Sequence, residues 1–202
     1  MNLSSTSPDN VARAVLEAQI RECFGRVAYS HKTHEKCADI LLCRLSWLKH
    51  TQIVLSVLVS GSLLKAMLGD SSSKGIIPTV LSGILLFINL YFKNYNYGQI
   101  AQAHKETADR LWNVRESYLS LLTDLVSGIL TPPEAANRRD KLQKELATIY
   151  SRAPRTNSNA YAKAQQALKY NEDLTFSVEE IDALLPQALK MAKRDEPPKP
   201  GK

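Results

Sequence analysis

The sequence is poor in the short signatures that announce chemistry. It holds no GxGxxG turn, no phosphate-binding loop ending in GK[ST], no nucleophile elbow and no CxxC pair. Dinucleotide-dependent dehydrogenases, P-loop NTPases, α/β-hydrolases and thioredoxin-like redox proteins are therefore excluded, and neither enzymatic activity nor a cofactor is expected. Its three cysteines, Cys23, Cys37 and Cys43, are odd in number and follow no disulfide spacing. They are read as small buried residues in a reducing compartment. The first ten residues, MNLSSTSPDN, have neither a basic stretch nor an apolar one, so no cleavable signal peptide is expected. A net charge of +6 could suit acidic partners, but the basic residues are scattered among acidic ones. No Lys/Arg run is interleaved with aromatics, so direct contact with nucleic acid is not expected.

Charge is also missing from one long stretch. Between Thr51 and Phe92 the only charged side chains are Lys65, Asp70 and Lys74. The mean hydropathy of −0.23 thus averages two different environments. Residues 51–64, TQIVLSVLVSGSLL, and 75–92, GIIPTVLSGILLFINLYF, carry no charge. Each sits at the short end of the roughly 17–25 residues that a helix needs to cross a bilayer core. The linking GDSSSKG is a tight polar turn, so the two segments read as an antiparallel transmembrane hairpin. A buried hairpin in a soluble core is the alternative, but 76–88 shows no polar stripe at helical period. Lys32, Lys36, Arg44, Lys49, Lys93, Lys105 and Arg110 flank the hairpin's open end, against Lys65 and Lys74 near its turn. The positive-inside bias then puts both termini in the cytoplasm, and Trp47, Tyr91, Tyr95 and Tyr97 mark the same interface.

The expected architecture is all-α, a single domain over 1–192. A cytoplasmic helix over 11–50, opened by Ser7 or Asp9 and bending or breaking near Gly25, leads into spans at 51–68 and 76–92 joined by the turn 69–75. Its apolar stripe is read as Val11, Val15, Phe24, Val27, His31, Leu41, Leu45 and Leu48. A second cytoplasmic helix covers 98–128, with Ile100, Ala103, Thr107, Leu111, Val114, Tyr118, Leu121 and Leu125 alternating at three and four as a packing seam. Together the two form an antiparallel stalk of roughly 37 Å from Arg26 to His50. Its register sets Arg26 opposite Glu116, Lys36 opposite Glu106 and Asp39 opposite His104. Short helices over 132–192 follow: one opened by the capping box Thr131–Glu134 and reaching Tyr150, one over Asn159–Tyr170, and one opened by Ser177–Glu180 with Phe176 and Ile181 as its staple. The last extends to Pro186 and continues, kinked, toward Lys193. Residues 193–202 lack apolar side chains and read as a disordered tail.

Two sets of polar residues invite a functional reading. His31, His34 and Cys37 suggest a metal, but a cysteine six positions along a helix lies about 120° of rotation from the first histidine, so one straight helix cannot aim all three at one ion. These residues are expected to pack within the stalk. In the spans, Gln52, Ser56 and Ser60 recur every fourth residue, and Thr79, Ser82 and Asn89 mark the second helix. Such residues either let helices approach and hydrogen-bond or line a water-filled pore in an oligomer.

The stretches AYSHKTHEKCADILLCRLSWLKH and GQIAQAHKETADRLWNVRESYLSLLTDL on either side of the hairpin resemble the SLATT family, two-transmembrane effector domains associated with SMODS nucleotidyltransferases and SLOG sensors in bacteria. RAPRTNSNAYAKAQQALK and DLTFSVEEIDALLP resemble the branch with a C-terminal helical extension. The resemblance implies a non-enzymatic effector of anti-phage conflict, which oligomerises and forms pores or disrupts the inner membrane. Its trigger would come from a separately encoded cyclic-oligonucleotide synthase, SLOG protein or reverse transcriptase. A membrane adaptor that recruits a partner through its cytoplasmic helices, without a pore, fits the same residues.

Overall fold

The computed structural model describes residues 8–67 and 76–191, and no strand occurs among them. The expected turn 69–75, Ser7 and the tail 193–202 lie outside the described residues. Helix α1 runs over Pro8–Met67 as one 60-residue helix, or about 90 Å at 1.5 Å per residue. The break expected as one outcome at Gly25 does not occur: α1 passes through it as continuous helix. A lone glycine lowers helix propensity by about 1 kcal/mol, which packing on both sides readily offsets. Helix α2 covers Ile76–Asn94 and α3 covers Tyr97–Val126. Between them the chain breaks at Tyr95 and Asn96, and the Asn96 side chain restarts the helix by accepting from the Gln99 N–H at 3.2 Å. Among the described residues, no helix is long and apolar enough to cross a membrane.

The seam between α1 and α3 follows from spacing. Leu16, Ile20, Cys23, Val27, His31 and His34 are buried on α1, and Ala101, His104, Ala108, Leu111, Val114, Tyr118, Leu121 and Leu125 on α3. These steps of three and four place one stripe of each helix against the other. Thr107 to Leu125 lie in the core as expected. The start of the stripe differs: Ile100 is exposed, and Ala101 and His104 take the inward positions. On α1, Val15 is 66% exposed and Val11 also faces out, whereas Leu16 and Ile20 face in.

Three further helices follow: α4 over Pro132–Arg152, α5 over Ser158–Lys169 and α6 over Val178–Leu184, then a 3-10 turn over Gln187–Leu189. The last helix therefore stops short of Pro186. α3 ends with Gly128 at φ +78, a left-handed residue that closes helices because only glycine adopts it without strain. Glu134 accepts from both the N–H and the hydroxyl of Thr131, at 2.9 and 2.7 Å, and opens α4. Asn157 accepts from the Ala160 N–H at 2.9 Å to open α5. Ser177 and Glu180 open α6 reciprocally. Phe176 and Ile181, the expected staple, are both exposed.

The two-helix stalk expected from sequence is a three-helix bundle. Arg139 donates to Gln19, Gln143 reaches Cys23, Tyr150 donates to Ser30 and Asn157 reaches Cys37, each pair 120 positions apart. A constant offset means that α4 and the start of α5 run parallel to α1. Leu130, Ala135 and Ile149 close the core with Leu16, Ile20, Tyr118 and Leu125. Ala160, Ala164 and Ala167 are the buried face of α5, and their small side chains let it lie close against α1. The third layer ends where Gln166 and Ala167 face Ile40 and Cys43. Beyond that level, none of the described side chains of α1 or α2 is buried.

Leu111 is fully buried at the centre of the bundle, whereas Leu119 is exposed on the same helix. Leu111→Ala should cost about 2–5 kcal/mol, and Leu119→Ala less than about 0.5 kcal/mol. Urea unfolding followed by circular dichroism measures both; similar losses would show that this seam is not the core.

Candidate functional site: the uncovered hairpin and the histidine seam

Two features stand apart from ordinary packing. The first is the hairpin itself. Thr51, Gln52, Leu55, Ser56, Val59 and Ser62 of α1 are half-buried, as are Pro78, Leu81, Leu85, Ile88 and Tyr91 of α2. These are the inward stripes of a two-helix pair. Around them, Ile53, Val54, Val57, Leu58, Leu63, Leu64, Val80, Ile84, Leu86, Phe87 and Leu90 are exposed, Val57 at 65% and Phe87 at 68%. Soluble monomers rarely leave so continuous an apolar surface bare.

Of the polar residues picked out in the hairpin, the structure brings two together. Gln52 Nε2 donates to Asn89 Oδ1 at 2.8 Å, across the two helices. Ser56 turns back on its own helix, donating to the Gln52 carbonyl at 2.8 Å. Ser60, Thr79 and Ser82 lie on exposed positions. At the open end, Tyr91 and Tyr97 share a hydroxyl–hydroxyl hydrogen bond of 2.7 Å. Tyr95 stacks on Tyr91 at 4.7 Å, and Trp47 is 74% exposed. Arg44, Trp47, Leu48, Phe87, Ile88, Tyr91 and Tyr97 line a groove at this level. Amphipathic rings and a guanidinium beside an apolar surface suit a water–lipid boundary.

The second feature is a run of buried histidines just before the hairpin. His31 donates from Nδ1 to the Ala108 carbonyl at 3.0 Å, and its ring lies 5.2 Å from Trp112. His34 and His104 face each other Nδ1 to Nδ1 at 2.9 Å. That bond requires one facing nitrogen to carry a hydrogen and the other a lone pair, so the two rings hold opposite tautomers. Burial, reinforced by the His104 and His31 rings, pushes His34 down to about 4. Burial also lowers His104. Both rings are thus neutral near pH 7, as the bond demands. Among the described residues, no group of three or more His, Cys, Asp or Glu side chains could hold a metal ion. Cys23 and Cys37 are buried as expected, but Cys43 is exposed. Burial pushes the Cys37 thiol up, and an Asn157 contact only partly opposes it.

The expected cross-stalk pairs do not form. Arg26 pairs with Glu22 at 3.4 Å and Lys36 with Asp39 at 3.8 Å, both within α1. Glu116 pairs with its neighbour Arg115, and Glu106 accepts from Gln102 at 3.2 Å. His104 meets His34 rather than Asp39. Long side chains at the bundle surface reach a partner three or four residues away more readily than one across a seam. Sequence reading missed Arg115, whose guanidinium lies 5.1 Å above the Phe24 ring and 4.7 Å above Trp112. An arginine one position after Val114 on the core stripe was the available signal.

An all-helical head feeding a bare antiparallel hairpin defines a class of proteins built to present two apolar helices. The model of the SMODS and SLOG-associating 2TM effector domain family 4 matches residues 16–180. With more than half of its length matched, the chain belongs to that family. No curated protein and no solved structure matches it.

The histidine seam gives a pH dependence with a definite sign. A histidine whose pKa is depressed by folding is unprotonated in the native state, while the unfolded chain takes up a proton below about 6.5. His34 therefore leaves stability untouched above that value and lowers it progressively between about 6.5 and about 4. The loss should reach on the order of 2–3 kcal/mol. His34→Gln, which keeps a polar partner for His104 but does not titrate, should flatten this part of the stability profile. An unchanged slope in chemical unfolding between pH 7 and pH 5 would remove His34 from the account.

Proposed function

We propose that this chain is a non-enzymatic effector anchored in the bacterial inner membrane by the α1–α2 hairpin, with both termini in the cytoplasm. Several copies assemble and permeabilise the bilayer when a separately encoded sensor signals. The observation that carries this reading is the ring of exposed Ile, Val, Leu and Phe side chains around the hairpin. It begins at Ile53, beyond the Cys43 level where the third helical layer stops and past the polar stretch that holds Arg44, Lys49 and His50. Lipid tails satisfy such a surface and water does not. Membership of a family described as a two-transmembrane effector domain supports the same reading, as do the interface aromatics and the basic residues at the open end.

The hairpin's shortness is part of the mechanism. Residues 51–67 of α1 and the 19 residues of α2 span roughly 25–28 Å at helical rise, against a hydrocarbon core of about 30 Å. A stretch shorter than the bilayer is accommodated by thinning the lipid, by snorkelling of flanking side chains such as Lys65, or by self-association. Each accommodation deforms the membrane or draws copies together. The neutral Gln52–Asn89 pair fits the same setting, since an amide in hydrocarbon needs an internal partner.

Membrane fractionation and a potential-sensitive dye test this directly. The protein should stay with membranes until detergent is added. Induced expression, with its genomic neighbours where a trigger is needed, should collapse the membrane potential. Leu58→Arg with Leu86→Arg puts a charge on each outward face, at about 2.5–3.5 kcal/mol each near mid-bilayer. This pair of changes should release the protein from the membrane and abolish the collapse. Stable membrane residence with full viability and intact potential under triggering conditions would leave an adaptor role instead. Recovery of the unaltered chain in the soluble fraction would end both membrane readings.

A further inference from the structure

The bundle holds one large recess far from the hairpin's apolar surface. It has a volume of about 890 Å³ and lies between α1, the end of α4 and the extended linker that enters α5. Ligand sites typically enclose roughly 300–1,000 Å³. Three observations give it chemistry. Arg155, in the linker just after Pro154, lines the recess and makes no hydrogen bond or ion pair among the described residues. Arg26 contributes a second guanidinium from α1, held at 3.4 Å by Glu22, which also lines the recess. His34 lines it too, although it is only 4% exposed. Its Nδ1 is taken by His104, and no group among the described residues bonds its Nε2.

Three tyrosines also line the wall. Tyr29 and Tyr161 face each other with ring centroids 6.1 Å apart and planes 30° from parallel. Tyr150 stands nearby, its hydroxyl donating to Ser30 at 3.0 Å. We infer that this recess is a binding site for an organic phosphate bearing a planar ring, with Arg155 and Arg26 on the phosphate, Tyr29 and Tyr161 against the ring, and His34 Nε2 hydrogen-bonded to the ligand. Guanidinium forks match phosphate oxygens, and phenol faces hold flat ring systems by stacking. One glutamate against two arginines leaves the wall net cationic.

Position gives the site a consequence. His34 is bonded to the ligand through one nitrogen and to α3 through the other. A ligand group that accepts from Nε2–H holds Nδ1 as the acceptor, and His104 Nδ1 must then donate. Occupancy is thereby registered in the seam that leads into the hairpin. The inference does not depend on the hairpin entering a membrane.

Titration calorimetry on the full chain in mild detergent, with adenosine 5′-monophosphate as the probe, tests the assignment. Inorganic phosphate and adenosine serve as its two halves. The nucleotide should bind saturably, and each half at least about tenfold more weakly. Arg155→Ala and Tyr161→Ala are both at exposed positions and should each weaken the nucleotide by about tenfold, with unchanged circular dichroism. The ¹⁵N resonances of His34 should shift on saturation and show the Nε2–H tautomer. Absence of saturable binding at millimolar nucleotide would overturn the proposal. Equal binding of adenosine or of phosphate alone would overturn the pairing of ring and anion. Full affinity in Arg155→Ala would overturn the residue assignment.

Discussion

Two helices cannot bury one another. A helix pair covers one stripe on each partner and leaves the flanks open, so a protected core needs a third layer. In this chain α4 and α5 provide it by running parallel to α1 at a fixed offset, tied by Arg139–Gln19, Tyr150–Ser30 and Asn157–Cys37. The core, the burial of the histidines and the linker recess all depend on that arrangement. So does the hairpin's character, because the third layer ends level with Cys43 while α1 continues to Met67. After a polar stretch from Arg44 to Gln52, the same helix changes at Ile53 from one apolar stripe to mostly apolar side chains on its exposed faces. A single unbroken helix thus joins the packed head to the hairpin with its exposed apolar flanks.

The buried polar groups lie at the junction between these environments. His31 and His34 fall on the same stripe as Ile20, Cys23 and Val27, where an aliphatic residue would pack with less desolvation. Their hydrogen bonds to Ala108 and His104 fix how far α3 lies along α1, since a shifted register would leave neutral rings buried without partners. The apolar part of the seam tolerates sliding better, because leucines and valines in neighbouring turns resemble each other. Register here is held by a few directional bonds, and stability by the aliphatic contacts farther from the hairpin.

Helix identities and starts were legible in the sequence because local chemistry sets them. The Thr131–Glu134 pair and the Ser177–Glu180 pair act within one turn of the backbone they cap, whereas the Asn157 cap of α5 is not picked out and that helix is read from its alanines alone. The late part of the α3 stripe, Thr107 to Leu125, was legible for a similar reason: its spacing is unambiguous. Its beginning was not. The break at Tyr95–Asn96 restarts the helix and sets the phase that turns Ala101 and His104 inward in place of Ile100 and Ala103, and nothing in the apolar pattern marks that choice. The charge pairs failed for a different reason. Arg26, Lys36 and Glu106 sit on flexible stems at the bundle surface, where a partner on the same helix competes with one across the seam. The third layer was not read from sequence because α4 buries only Ala135 and Ile149 fully and α5 only Ala160, Ala164 and Ala167, a sparse pattern that does not say which helix it meets.

The polar residues of the hairpin acquire different meanings once their placement is known. Gln52 and Asn89 satisfy one another within a single chain, and Ser56 satisfies itself on its own backbone. In lipid those bonds hold two short helices together at a point where apolar contact alone gives no preference over tails. Ser60 and Ser82 face outward among the valines and leucines, and small hydroxylated side chains on an outward face let a neighbouring helix approach closely. In the proposed membrane setting, the inward amides therefore set the fold of each hairpin and the outward serines bias which faces meet between copies. Under the proposed function, a pore lined by these serines and a bilayer thinned by clustered short hairpins would be two degrees of one process, governed by how many copies gather.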